Sequence, residues 1–110
     1  MTLRGRYNVQ WTYVAEADLN GVIEFIARGD LSTAVNILNE IRLRAETLCQ
    51  FPERGRIVPE LQAQQVMLYR ELLHKSWRIM YRIEADQVYV LAVLDARRNV
   101  EDLLLNRLIR

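Results

Sequence analysis

Two strand-like segments lie back to back near the C-terminus and constrain the fold more than any other feature of the chain. Residues 76–84, SWRIMYRIE, alternate in a period of two, which is typical of a strand with one buried face. Residues 87–94, QVYVLAVL, are apolar on both faces and predict a central strand. Because only Ala85 and Asp86 separate the two segments, they must pair as an antiparallel hairpin.

Two further segments have the character of strands. Residues 6–12, RYNVQWT, alternate apolar and polar side chains and predict a first strand. Residues 66–73 predict a strand before the hairpin, and a connection of about two residues makes that pairing antiparallel as well. The strand at 76–84 has an apolar face and a second face with basic residues: Trp77, Ile79, Tyr81 and Ile83 on the first, and Arg78, Met80 and Arg82 on the second.

Between the first strand and the others, the apolar period changes to that of helices. Two stripes are present: Ala15, Leu19, Val22, Ile23 and Ile26, then Ala34, Leu38, Ile41, Ala45 and Leu48. Gly29 ends the first helix, where glycine can adopt positive φ, and Asp30 can cap the second, which runs to about Gln50. The tight turn makes the helices antiparallel neighbours that need a further apolar surface to cover.

The remaining segments are a loop and a terminal helix. Pro52 and Pro59 bracket residues 51–61, FPERGRIVPEL, and Gly55 permits a sharp bend, so a loop is predicted. After the last strand, Asn99 can cap a short C-terminal helix. That helix would dock through its apolar residues, which are Val100, Leu103, Leu104 and Leu108.

Together these elements predict an α+β fold in a single domain of residues 1–110. An N-terminal strand precedes an antiparallel helical hairpin that packs on one face of a mostly antiparallel sheet, and a short C-terminal helix follows. The other face of the sheet is expected to be open. It would carry Arg78 and Arg82, with Arg97 and Arg98 at its rim.

Composition excludes several classes of protein. Cys49 is the only cysteine, so an internal disulfide framework is excluded, and the N-terminus lacks the apolar core of a secretory signal. The apolar run at 88–94 is far shorter than the ~20 residues of a membrane helix. We therefore expect a cytoplasmic protein without membrane contact. A net charge of +1 neither favours nor excludes a nucleic-acid partner.

Few residues offer catalytic chemistry. One histidine and one cysteine cannot supply a zinc site, and four scattered glycines form no phosphate-binding loop, so no metal or cofactor is expected. His74 and Ser76 at a hairpin end are more typical of polar turn residues than of a base and its nucleophile. The arginines remain: they could bind phosphates, stabilise phosphoryl transfer, pair with acids of a partner, or form a solvated face.

The layout resembles the RelE/ParE superfamily of bacterial toxins from type II toxin-antitoxin pairs. The segments that carry this resemblance are ADLNGVIEFIARGDLSTAVNILNEI, LCQFPERGRIVPEL, YRELLHKSWRIMYRI and VYVLAVLDARRNVEDLL, in this order. RelE-like members are ribosome-dependent ribonucleases, and their pattern would match Arg78 and Arg97 to catalytic arginines. The tyrosine that such members use is missing, since leucines occupy the region around Leu103.

The resemblance therefore implies a ParE-like toxin, which inhibits DNA gyrase by stabilising its cleaved DNA complex and is not itself an enzyme. The alternatives are a RelE-like endoribonuclease acting on ribosome-bound mRNA, and an inactive member kept as a binding or co-repressor module. The implied partners are a cognate antitoxin and DNA gyrase, with promoter DNA bound only through the antitoxin complex. The expected contact residues are Arg78, Arg82, Arg97, Arg98, Leu103 and Arg107.

Overall fold

The computed structural model of the protein describes residues 6–97. In chain order its elements are β1 (Asn8–Trp11), α1 (Tyr13–Ala27), α2 (Leu31–Glu46) with a 3₁₀ turn (Thr47–Cys49), β2 (Arg56–Ile57), α3 (Pro59–Gln62), β3 (Tyr69–His74), β4 (Trp77–Glu84) and β5 (Gln87–Asp95).

The strands form one five-stranded sheet in the order β1-β5-β4-β3-β2. Strand β1 pairs in parallel with β5, and the remaining neighbours pair antiparallel. The apolar segment β5 is thus an interior strand, as its sequence predicts. The α+β class and the mostly antiparallel sheet are confirmed.

Two-residue turns join β3 to β4 and β4 to β5, as the spacing predicts. The first residue of each turn, Lys75 or Ala85, has a positive φ of 54° or 55°. Neither is a glycine, and a Cβ in this region costs roughly 1–2 kcal/mol. Strand pairing on both sides of each turn therefore outweighs the local preference of its first residue.

Side-chain caps begin both helices of the hairpin, and the one at Asp30 was predicted. The Thr12 side chain accepts from the Ala15 N–H at the start of α1, and the Asp30 carboxylate accepts from the N–H groups of Ser32 and Thr33 at the start of α2. Gly29 lies just past α1, but its φ is outside the left-handed region. The helix thus ends there without the positive φ expected of the glycine.

The hairpin covers one face of the sheet and encloses the larger of two apolar cores. Its buried members are Ala15, Leu19, Ile37, Ile41, Ala45, Leu48, Leu72, Ile79, Tyr81, Val88, Val90 and Val93. The predicted stripes face this core, with Val22, Ile23, Ile26 and Leu38 half-buried at its edge. Ile37 is also buried, although the predicted stripe did not include it. The apolar face assigned to β4 is the face that meets this core.

The opposite face of the sheet is partly covered, so the prediction of an open face is wrong there. Residues 56–66, here called the strap, contain β2 and α3 where the sequence predicts only a loop. Val58 and Leu61 of the strap are fully buried in a second core. Their partners in that core are Met80, Ala92 and Leu94 of the sheet.

A β-bulge changes which residues of β5 face each core. The register passes from Met80↔Ala92 to Tyr81↔Val90, which leaves Leu91 as the extra residue. Val93 therefore faces the helical hairpin and Leu94 faces the strap. This double burial explains why the strand is apolar on both faces.

The C-terminal helix from Asn99, with Val100, Leu103, Leu104 and Leu108, lies outside the described residues. The strand predicted at 66–73 is present as Tyr69–His74. Within residues 6–97, no helix combines the length and apolar character needed to cross a membrane.

Candidate functional site

Arg78 is buried beneath the strap, which contradicts its expected exposure. The residue is 5% exposed. Its Nε donates to Glu71 Oε1 at 2.6 Å, while its two terminal nitrogens donate to Glu60 Oε2 at 2.8 Å and Oε1 at 2.7 Å. The polar face assigned to β4 is correct, but the guanidinium on it is enclosed and paired.

The ion pairs of Arg78 belong to a cluster in which basic and acidic side chains alternate. Glu71 is buried on β3, and its second oxygen, Oε2, accepts from Arg56 Nε at 2.7 Å. The sheet register creates this contact, because Arg56 on β2 lies directly opposite Glu71. Both buried charged residues of this cluster, Glu71 and Arg78, are therefore hydrogen-bonded, which is the condition for placing ions in a core.

The same contacts shift the pKa values of this cluster. Hydrogen bonds from Arg78 lower the pKa of Glu60, against a smaller opposing effect of burial, and the charge of Arg56 lowers it further. The hydrogen bond with Glu60 raises the pKa of Arg78, again against the effect of burial. The guanidinium thus stays charged, and Arg78 has no role as a proton donor near neutral pH.

Arg82 lies on the same face as Arg78, at the other end of β4, and is accessible. Its side chain is 33% exposed and pairs with Glu84. The register places it in a row across the sheet, between Tyr69 on β3 and Tyr89 on β5, with Gln10 of β1 next in line. These neighbours are half-buried or exposed, so the row is an accessible part of this face.

Arg97 lies near the opposite end of β4. Its side chain is 86% exposed and forms two hydrogen bonds to Asp95, which raise its pKa. Asp95 pairs with Trp77, the first residue of β4, whereas Arg82 lies five residues further along that strand. This separation is about 17 Å at ~3.4 Å per residue. Within residues 6–97, the predicted arginines Arg78, Arg82 and Arg97 do not form one cluster.

Arg97 also borders a groove of about 510 Å³ beside α1. The groove is lined by Ala17, Gly21 and the largely exposed Phe25 of α1, together with Trp77. Arg98, Leu103 and Arg107, the other predicted contact residues, lie outside the described part of the chain.

His74 has a structural partner that the sequence did not reveal. Its Nε2 lies 2.8 Å from Glu40 Oε1, and Lys75 Nζ lies 3.2 Å from the same oxygen. The hydrogen bond with His74, followed by that with Lys75, lowers the pKa of Glu40. The cluster ties the β3–β4 turn to α2, so His74 acts here as a polar turn residue. Among residues 6–97, no group of acids, histidine and cysteine could hold a metal ion.

Glu60 and Glu71 decide the environment of Arg78, and neither was predicted from the sequence. Glu71 lies in a strand-like segment on the same face as Arg78, so alternation alone could have suggested the pair. Glu60 gave no signal, because it lies in a segment without a readable period. Only the fold brings it to the sheet.

Comparison with known proteins agrees with this architecture. A family model described as the ParE toxin of the type II toxin-antitoxin system parDE matches residues 9–100. The solved structure "Chromosomal ParDE TA system from P. aeruginosa" is similar in fold, with a TM-score of 0.71 and 18% sequence identity. The alignment covers 84% of this chain and 99% of that one. A search of curated proteins finds no sequence match. Because the family model spans most of the chain, the protein belongs to the ParE toxin family of type II toxin-antitoxin systems.

Proposed function

We propose that the protein is a toxin that inhibits DNA gyrase by stabilising the cleaved gyrase–DNA complex. The match of the ParE toxin family model to residues 9–100 is the observation that carries this proposal. In this role the protein is an inhibitor that acts by surface complementarity and needs no catalytic group or cofactor of its own.

The burial of Arg78 favours this role over a RelE-like ribonuclease. A catalytic arginine must reach a phosphate of the RNA, but in the free protein the carboxylates of Glu71 and Glu60 occupy both sides of the Arg78 guanidinium, so Glu60 would have to move away first. The first of the two arginines that the ribonuclease alternative requires is therefore held in internal ion pairs in the free protein. Arg97, the second, is accessible but lies beside α1.

For the target contact, we infer that the row around Arg82 meets gyrase. Arginine and tyrosine are enriched among the residues that dominate protein interfaces, and the row presents Arg82 between Tyr69 and Tyr89. Replacing Tyr89 or Arg82 by alanine should weaken inhibition. The matched controls are Tyr13→Ala and Arg28→Ala, which remove exposed side chains from the helical hairpin.

An antitoxin is the second proposed partner, since the structural relative is a ParDE toxin-antitoxin system. The groove beside α1 exposes Phe25 and is a suitable contact for an apolar antitoxin segment. Co-expression with the product of the adjacent reading frame should give a complex that co-purifies, and Phe25→Asp should release it. Binding of promoter DNA would then require the complex, so toxin alone should not shift the promoter fragment.

A supercoiling assay with purified gyrase tests the proposed function. Relaxed plasmid, ATP and gyrase are incubated with increasing toxin, and we expect supercoiling to fall with toxin dose. Adding the co-purified antitoxin should restore it. Unchanged supercoiling at toxin concentrations that block a purified translation reaction would refute the proposal and support the ribonuclease alternative.

A further inference from the structure

The carboxylate of Glu60 lies where an oxyanion would bind. Its two oxygens accept one hydrogen bond each from the terminal nitrogens of Arg78, at 2.7 and 2.8 Å. This fork-shaped contact fits a carboxylate and a phosphate equally well. The Arg78 guanidinium is thus a two-point contact for an oxyanion, and the Glu60 carboxylate of the same protein occupies it.

A second cation strengthens the site. Arg56 is close enough for its positive charge to lower the pKa of Glu60. Its side chain is 54% exposed, so it borders the solvent side of the cluster. Glu71 neutralises one of the two arginines through Nε contacts. Without the Glu60 carboxylate, Arg56, Arg78 and Glu71 together would carry one unbalanced positive charge.

Glu60 can leave this position without disruption of the strap. Its side chain is 34% exposed, whereas Val58 and Leu61 on either side are fully buried and hold the backbone. The Val58 N–H also donates to the Tyr69 carbonyl oxygen at 2.9 Å. A rotation of the Glu60 side chain into solvent would therefore open the site while the second core stays packed.

We propose that Arg78 and Arg56 form a phosphate-binding site that Glu60 keeps occupied in the free protein. The site is self-blocked: an incoming phosphate group must displace the Glu60 carboxylate to reach the Arg78 guanidinium. The site does not require gyrase to be the target, but binding of a nucleic-acid phosphate at Arg78 would remove the argument from burial against the ribonuclease alternative.

Titration calorimetry with inorganic phosphate tests the proposal on the full-length protein at pH 7. Glu60→Ala should bind phosphate at least tenfold more tightly than the wild-type protein. The matched control is Glu53→Ala, which removes an exposed acid just before the strap and should bind phosphate no better than wild type. Adding Arg56→Ala to Glu60→Ala should weaken the gained binding at least threefold.

If Glu60→Ala does not fold, the same titration is carried out with Glu60→Gln. Its amide keeps the shape of the carboxylate but lacks the charge, so phosphate should displace it more readily than it displaces Glu60. A folded Glu60→Ala or Glu60→Gln with wild-type phosphate affinity would overturn the proposal. So would an equal gain in Glu53→Ala, because the effect would then reflect net charge.

A short single-stranded oligonucleotide distinguishes the sources of phosphate. If Glu60→Ala binds both the oligonucleotide and free phosphate in competition, the site accepts a nucleic-acid backbone. If it binds only free phosphate, the site takes the small anion alone. Either result upholds the site, whereas oligonucleotide binding that free phosphate cannot displace, without any binding of phosphate itself, would contradict it.

Discussion

At the scale of single residues, Tyr81 and Gly55 show how closely the sheet and the preceding loop fit. The Gly55 N–H donates to the Tyr81 hydroxyl oxygen at 3.0 Å, and that hydroxyl donates to the Pro52 carbonyl oxygen at 2.7 Å. Burial raises the pKa of Tyr81. The phenol therefore stays neutral and keeps its donor hydrogen, which fixes the loop against the core.

Gly55 leaves no room for a side chain. A Cβ at this position would lie 2.6 Å from both the Glu71 carbonyl oxygen and the Tyr81 hydroxyl. We expect Gly55→Ala to lower the free energy of unfolding by about 1–3 kcal/mol, as overpacking does. Urea denaturation measures the change.

Gly21 provides the matched control for that substitution. It lies within α1, and a Cβ there would meet no atom within 4 Å. Gly21→Ala should therefore raise the free energy of unfolding by about 0.5–1 kcal/mol, because alanine favours a helix interior over glycine. Equal effects of the two substitutions would contradict the packing described around Gly55.

The Glu60–Arg78 pair predicts a specific response to acid. The folded-state pKa of Glu60 is lowered from 4.5, so the pair stabilises the fold above the unfolded-state pKa and loses this contribution as pH falls through the folded-state value. In Glu60→Gln this contribution is absent. The difference in urea midpoint between wild type and Glu60→Gln should be largest at pH 7 and should shrink at pH 3.

A control acid checks that the response belongs to the pair. Glu53→Gln removes an exposed glutamate of the loop before the strap and is measured alongside as the control for the loss of one carboxylate. If the difference for Glu60→Gln is the same at pH 7 and pH 3, the ion pair does not contribute to stability in solution.

For the strand residues, the sequence predicted which face of the sheet each side chain lies on, but not whether that face is covered. The period of two placed Arg78 and Arg82 on one face, and the register confirms that placement. Whether that face is covered depends on a segment far away in sequence, which no local pattern reports. The two arginines consequently have opposite environments, one enclosed by Glu60 and one accessible.

At the scale of elements, the helical hairpin was the most predictable part of the chain. Its apolar stripes have the helical period, and Asp30 has the side chain that a helix N-terminus prefers. Both helices appear within a few residues of the predicted bounds. Only the role of Gly29 differs, since the end of α1 needs no positive φ.

Asp30 should make a measurable contribution to α2. Its carboxylate accepts from two backbone N–H groups and from the Thr33 hydroxyl at 2.8 Å. Asp30→Ala should reduce the free energy of unfolding by about 1 kcal/mol, whereas Asp30→Ser should retain most of it, since serine is a comparable cap. Thermal and urea denaturation of the two variants would show the contrast, and an equal loss in both would argue against capping.

The strap shows why short elements escape sequence analysis. Strand β2 has two residues and helix α3 has four, so neither is long enough to display a period. Pro59 at the start of α3 is compatible with a helix N-terminus, although Pro and Gly in this stretch predict a loop. These two short elements are stabilised by tertiary contacts, because Val58 and Leu61 are buried against the sheet.

At the scale of the whole molecule, the fold has three layers of unequal extent. The helical hairpin covers one side of the sheet, and the strap covers part of the other. The row around Arg82 is an accessible part of the second side, while the groove beside α1 lies elsewhere. Two separate surfaces are thus available for the two proposed partners, gyrase and antitoxin.

The measurement that tests this account most directly is the amount of gyrase-linked cleaved DNA formed in the presence of the toxin. Gyrase, ATP and supercoiled plasmid are incubated with wild-type toxin or Arg82→Ala, the reaction is stopped with detergent and protease, and linear DNA is quantified. We predict that linear DNA rises with the dose of wild-type toxin and rises less with Arg82→Ala. No increase in linear DNA at doses that arrest growth would contradict the proposed function.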